Sequence, residues 1–370
     1  MKTYWPLVFV TALFLAVLPV FSASLWSELW VALYWPAMFV LQLAVLTWPW
    51  RTVPLRLVIS AFLMGAGPVM ALVLLVQLPL VSLLEYAYPV HYFFADIVGK
   101  NVDVGAVFLA PVCEEAFKIL PLAVILIVGP WRHLRYTAGP LDLAVLGAAL
   151  GGGFQFIETV WRGMAVDLHS YARIAEHISP HLGWFYLLPT LERPEAAATA
   201  WFGHAGVTAA LALVIGFALR LDARRRIRWL LPAAAGGLAT FEHFMTNLGE
   251  PDVFWLKALY IADLNGLLSS ILFIAGVIWA VILSAGILKR YRNVDPEAVF
   301  GLPEAREVFA RKPPTAGRLW LALLLMRLSR ATAFRLDWFG KSRNRPRRIA
   351  FALYGMRQTA LALKESLRRF

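Results

Sequence analysis

This sequence has a single cysteine, Cys113, and little charge. One thiol excludes an internal disulfide framework and a cysteine-ligated zinc cluster. Charged residues are 16% of the chain and hydrophobic residues 60%; a soluble domain carries about 25% charged residues. That deficit excludes an ordinary water-soluble fold and makes lipid the expected solvent. No repeat of about 20–50 residues is visible, which argues against a solenoid. There is no His-Glu-x-x-His motif of the kind that holds zinc on one helix.

Long apolar runs are present instead. Runs of about 20 residues read as membrane-spanning helices, and eight are expected, near residues 4–21, 29–48, 57–84, 104–128, 141–160, 198–219, 229–248 and 256–288. The fold class is therefore all-α, a polytopic transmembrane bundle over residues 1–288, with 289–370 as a separate tail. Lys2, the first apolar run and Ser22 also fit a cleavable signal peptide, which would leave seven spans, although an A-x-A cleavage site is missing. The 15 Trp suit the bilayer interfaces.

The positive charges set the orientation. Arg51 and Arg56, Arg132 and Arg135, the run Arg220 to Arg228, and Lys289 to Arg292 fall in alternate loops, as does Lys2 before the first span. The other loops are poor in positive charge or balanced by acids such as Asp167, Glu176, Glu192 and Glu195. By the positive-inside rule both termini are cytoplasmic. From Lys289 onward stand 19 of the 35 Lys and Arg but only 6 of the 23 acids, so the net charge of +12 belongs to the tail. Two short apolar runs in it, 319–326 and 349–354, are flanked by arginines. They suit interfacial helices on an anionic leaflet, or a solvated basic tail; nucleic-acid binding is not expected.

Ionisable groups in hydrocarbon cost about 2.5–3.5 kcal/mol each, so they persist when paired or used. Glu114, Glu115 and Lys118 lie in the fourth span, and helical spacing places Lys118 beside both carboxylates. Two adjacent glutamates leave one acid beyond a simple salt bridge, as a general acid/base pair requires. Glu158 ends the Gly151-Gly-Gly-Phe-Gln-Phe-Ile-Glu158 run of the fifth span. Its glycines predict close approach to a neighbouring helix, with the fourth span the first candidate. His204 opens the sixth span, and His243 and Asn247, four residues apart, close the seventh. Glu242 reads as a rim or packing residue, and Asp263 and Asn265 as outlying polar support. On the arginine-based orientation, Glu114 and Glu115 lie about ten residues, roughly 15 Å, from the outer face. Glu158, His204, His243 and Asn247 also fall in the outer halves of their spans. Scattered ion pairs need not share a layer; a water-accessible site does. A protease, a proton-coupled transporter carrying protons on the same carboxylates, and a non-enzymatic scaffold remain open on these residues alone.

At these positions the sequence resembles the PrsW family of intramembrane endopeptidases, distant relatives of the CAAX prenyl proteases. The resemblance rests on a Glu-Glu-x-x-Lys motif at Glu114, Glu115 and Lys118, and a Phe-x-x-x-Glu motif at Phe154 and Glu158. His204, the His243/Asn247 pair, and Asp142 before the glycine-rich span complete it. It covers about residues 104–247. CAAX proteases carry Glu-Glu-x-x-x-Arg, and Ile119 stands at that place here, which disfavours prenyl-protein processing. The resemblance implies hydrolysis of a peptide bond in a single-pass or membrane-anchored protein, such as an anti-sigma factor. It also implies cleavage on the extracytoplasmic side and a bacterial cytoplasmic membrane as the setting. Glu114 or Glu115 would activate water, Lys118 would tune the pair, His204 would orient the water or serve the leaving group, and His243 with Asn247 would stabilise the oxyanion. A metal-free mechanism is preferred. The alternative places one divalent ion, zinc, on ligands from Glu115, Glu158, His204 and His243.

Overall fold

The computed structural model describes residues 25–86, 104–127, 134–165, 203–220, 227–248, 253–264 and 267–290, and residues 330, 331, 333, 334 and 336 of the tail. The run at 4–21, the loop after 165, Asn265 and the two apolar tail runs lie outside them. All described regular elements are helical: α1 (Leu25–Leu46), α2 (Leu55–Met64), α3 (Met70–Tyr86), α4 (Ala110–Ile127), α5 (Leu134–Thr137), α6 (Pro140–Ala165), α7 (Gly203–Arg220), α8 (Leu230–Leu248), α9 (Phe254–Ala262) and α10 (Leu268–Arg290). The all-α bundle expected from composition is what is seen. Among the described residues, four stretches are long and apolar enough to cross a bilayer: Leu55–Leu84, Pro140–Trp161, Gly203–Arg220 and Leu268–Arg290.

Helices α2 and α3 form one continuous rod through a π-helical turn at Gly65–Val69, and a similar turn at Gly105–Leu109 precedes α4. Pro68 sits inside the first of these turns. Proline has no N–H for the ladder, and a local widening accommodates the missing bond.

The hub of the bundle is α6, buried throughout its apolar stretch. It packs chiefly on α7, with α1 and α2 on another side. The glycines of its sequence explain the closeness. A Cβ at Gly151 would overlap the His204 carbonyl, and one at Gly147 would crowd Thr208 and Ala212. Gly153 is pressed in the same way against the Phe62 carbonyl of α2. The expected partner was the span that became α4. The glycines instead seat α6 against α7 and α2, because they occupy two faces of one helix and each face has its own neighbour.

Asp142, in the first turn of α6, is 1% exposed. Its carboxylate accepts from Thr52 N–H (2.5 Å), Thr52 Oγ1 (2.8 Å), Val53 N–H (2.9 Å) and Gly139 N–H (2.8 Å). It staples the α1–α2 loop to the start of the hub, where helix-end N–H groups need acceptors.

Helix α8 is packed unevenly. Its last turns are buried at Glu242, His243, Met245 and Leu248, while Leu230 and Leu231 are 65% and 49% exposed. The helix is buried at one end and largely exposed at the other.

Part of the tail docks on the bundle. Phe334 is fully buried, clusters with Ile287 at the end of α10, and lies against Gly139. Arg220 stacks on its ring and donates to its carbonyl (2.8 Å), and to the carbonyls of Tyr136 (3.1 Å) and Ala138 (2.5 Å). Arg330 donates to the Trp48 carbonyl (2.8 Å).

Candidate active site

Four helices bring their buried polar side chains to one place. From α4 come Glu114, Glu115 and Lys118, each at most 4% exposed. From α6 comes Glu158, from the first turn of α7 His204, and from the last turns of α8 His243. His204 stands where it does because Gly203, at φ 70°, turns the chain into α7 through the left-handed region that glycine favours. Gln155, one residue after Phe154, accepts from the Ala205 N–H through its side-chain carbonyl (3.3 Å) and holds that same helix start.

Lys118 Nζ donates to Glu115 Oε1 at 2.5 Å and lies 2.6 Å from His204 Nδ1. Glu115 Oε1 also meets His243 Nδ1 at 3.0 Å. His204 Nε2 lies 2.6 Å from Glu158 Oε2. These contacts assign the imidazole protons. An ammonium only donates, so His204 accepts at Nδ1 and carries its proton on Nε2, facing Glu158. A carboxylate only accepts, so His243 carries its proton on Nδ1, facing Glu115, and presents a lone pair at Nε2. The ring of Phe154 lies edge-on to His204 (5.3 Å between centroids) and 4.9 Å from Lys118 Nζ, filling the apolar side of the cluster.

Glu114 differs from Glu115. Its Oε2 lies 4.0 Å from His204 Nε2 and 3.8 Å from His243 Nε2. Those separations exceed a hydrogen bond and are of the size left by one intervening atom. Glu114, His204 and His243 offer three ligand atoms all within 4.8 Å of one another, and all three residues are buried.

A family model described as PrsW family intramembrane metalloprotease matches residues 53–282. The chain belongs to this family. It is thus an intramembrane protease, a hydrolase of multi-pass membrane architecture acting on membrane proteins within the bilayer. No curated protein and no solved structure matches it.

The PrsW assignment raises the question of metal, and the donor set fits one. One carboxylate and two imidazoles are a known catalytic zinc set that leaves a coordination position open. The Nδ1–H of His243, facing away from the shared gap, donates to Glu115, which is the usual support of a ligating imidazole. Ligation by His204 Nε2 requires the other tautomer, with the proton on Nδ1 facing Lys118. The cluster differs from the ligand set expected from sequence. Glu114 takes the place of Glu115, whose Oε1 is committed to Lys118 and His243, and Glu158 stands behind His204. The family description favours the metal-assisted alternative over the metal-free preference.

Asn247 follows one turn after His243, and its amide donates to the Ala106 carbonyl at 2.8 Å, tying α8 to the π turn before α4. Glu242, expected at a rim, is 2% exposed and accepts from the Ser269 N–H (3.0 Å) at the start of α10. Asp263 is buried as well. The signal for Glu242 in the sequence was its place in an apolar span beside His243. What hid its role was that its partner is a backbone N–H, which no motif displays.

Proposed function

We propose that the chain hydrolyses a peptide bond of a single-pass or membrane-anchored protein near the extracytoplasmic side, with the hydrolytic water held between Glu114, His204 and His243. The observation that carries this reading is the convergence of those three ligand atoms, from α4, α7 and α8, within 4.8 Å of one another. The outer-half depth rests on the arginine pattern, and an anti-sigma-factor-like substrate rests on the family resemblance.

In this reading Glu114 accepts a proton from the water as its oxygen attacks the scissile carbonyl carbon. The lone pair on His243 Nε2 accepts the water's other hydrogen and aims its oxygen. Once the tetrahedral centre has formed, the proton on His204 Nε2 passes to the leaving amine nitrogen as the C–N bond breaks, while Lys118 Nζ gives a proton to Nδ1 so that the imidazole stays neutral. The proton taken up by Glu114 restores Lys118 on product release. Lys118 keeps His204 in the donating tautomer, Glu158 holds its Nε2–H, and Glu115 keeps His243 in the accepting one. Asn247 holds the end of α8 that carries His243. A divalent ion bound by Glu114, His204 and His243 would polarise the carbonyl and lower the pKa of the bound water. His204 would then carry its proton on Nδ1, in the other tautomer, since a ligating imidazole nitrogen must be unprotonated.

The test compares the membrane proteomes of cells carrying wild-type protein and Glu114→Gln. The expected result is a membrane-anchored protein that is cut in the first and accumulates whole in the second, with the variant folded and present in equal amount. If no protein differs, while liposomes containing wild type carry a proton flux that Glu114→Gln lacks, the transporter reading replaces this one.

A further inference from the structure

We infer that the apolar groove bounded by α7, α8 and α10 is the docking site for the transmembrane segment of the substrate; the inference rests on the proteolytic reading above. The groove encloses a cavity of about 260 Å³. Leu211 and Val214 of α7, Ala235 and Leu238 of α8, and Leu272 and Gly276 of α10 are among the residues that line it. Its wall is almost wholly apolar, so its occupant is apolar too.

Position relates the groove to the site. On α7 its lining begins at Val207, about one turn along the helix from His204. On α8 it ends at Ala239, about one turn before His243. Both histidine-bearing helices therefore run from the cluster directly into the groove walls. A helix lying in the groove would arrive at the histidines end-on, where a local unwinding of its backbone would expose a peptide bond to Glu114.

The other flank of His204 offers no such path. The α6–α7 seam is closed, since a single added methyl at Gly151 would overlap the His204 carbonyl. By contrast, methyls added at Gly236 and Gly237 of α8 would meet nothing within 4 Å. Gly236 and Gly237 lie off the groove wall, and the opening beside the cluster is the cavity itself. Ala235 and Ala239, four residues apart, both line the groove, and small residues at that spacing let a second helix approach closely.

The test places a photo-reactive benzophenone amino acid at Leu238 of the Glu114→Gln chain in native membranes, with Trp279 on the lipid-facing side of α10 as the control position. The expected result is an adduct from Leu238, absent from Trp279, with the transmembrane segment of a protein that wild type cuts and Glu114→Gln spares. Adducts only with lipid, with a second copy, or with residues 4–21 of the same chain overturn the proposal. So does equal labelling from Trp279. In a second arm, Ala235→Trp fills the groove and slows cleavage of that protein severalfold with thermal unfolding unchanged; undiminished cleavage overturns the proposal. A substrate that is cut but never labelled from Leu238 sinks the groove alone. Absence of any protein cut by wild type and spared by Glu114→Gln sinks the proteolytic reading and the groove with it.

Discussion

His243 Nδ1 lies 3.0 Å from Glu115 Oε1, and this contact separates the roles of two adjacent glutamates. Glu115 orients an imidazole and neutralises Lys118, whereas Glu114 faces the gap between two imidazole nitrogens. The two substitutions should therefore fail differently. Glu114→Gln is expected to abolish cleavage with little change in stability. Glu115→Ala leaves Lys118 buried without its counter-charge, and breaking a buried pair in this way costs about 3–5 kcal/mol. Thermal unfolding in detergent, run beside a cleavage assay, distinguishes them; equal unfolding temperatures would refute the division of roles.

Metal content gives a second prediction. Purified wild-type protein should carry one divalent ion, and Glu114→Ala or His243→Ala should carry less than half as much at equal free metal; losing one ligand weakens such sites by tenfold or more, as outer-shell losses already do. Elemental analysis measures this independently of activity. Glu158→Gln should retain the ion while lowering cleavage, because Glu158 stands behind His204 in the arrangement found. Wild-type protein that stays active and metal-free after exhaustive chelation would return the mechanism to glutamate and water alone.

The glycine seam gives a third. Gly151→Ala should destabilise by about 1–3 kcal/mol, the usual range for overpacking, and should lower activity as well, since the clash falls on the His204 backbone. Gly236→Ala, with open space around its Cβ, should be neutral or stabilising by about 0.5–1 kcal/mol. Unfolding curves of the pair decide the matter.

The docked tail gives a fourth. Phe334→Ala should cost about 3–5 kcal/mol, as for other large aromatic truncations in a core, and should expose the tail to limited proteolysis at Arg330. A tail equally protected in both proteins would show that Phe334 does not hold it.

Much of this architecture was legible in the residues. The scarcity of charge announced a lipid-embedded helical bundle. The rarity of buried ionisable groups picked out Glu114, Glu115, Lys118, Glu158, His204 and His243 before any geometry was known, because hydrocarbon tolerates such groups only where they have a use or a partner. What stayed hidden depends on relations between distant segments. Gly147 and Gly151 declare that something approaches closely but not which helix, and it is α7 rather than α4. Glu114 and Glu115 are interchangeable in a motif and are told apart only by the direction each side chain takes. The docking of Phe334 under Arg220 was invisible because a basic, proline-interrupted tail reads as solvated or interfacial, and one buried phenylalanine leaves no periodic trace.

The concentration of Glu114, Glu115 and Lys118 on α4 also bears on how the protein is made. Within five residues this helix brings three ionisable groups into hydrocarbon, at about 2.5–3.5 kcal/mol each on translocon scales. Lys118 and Glu115 offset one another locally, but the remaining partners arrive with α6, α7 and α8, all synthesised later. Helix α4 is therefore a poor independent inserter. Its stable residence in the bilayer waits on the histidines of helices that follow it, so biogenesis of the bundle and assembly of its polar cluster are the same event.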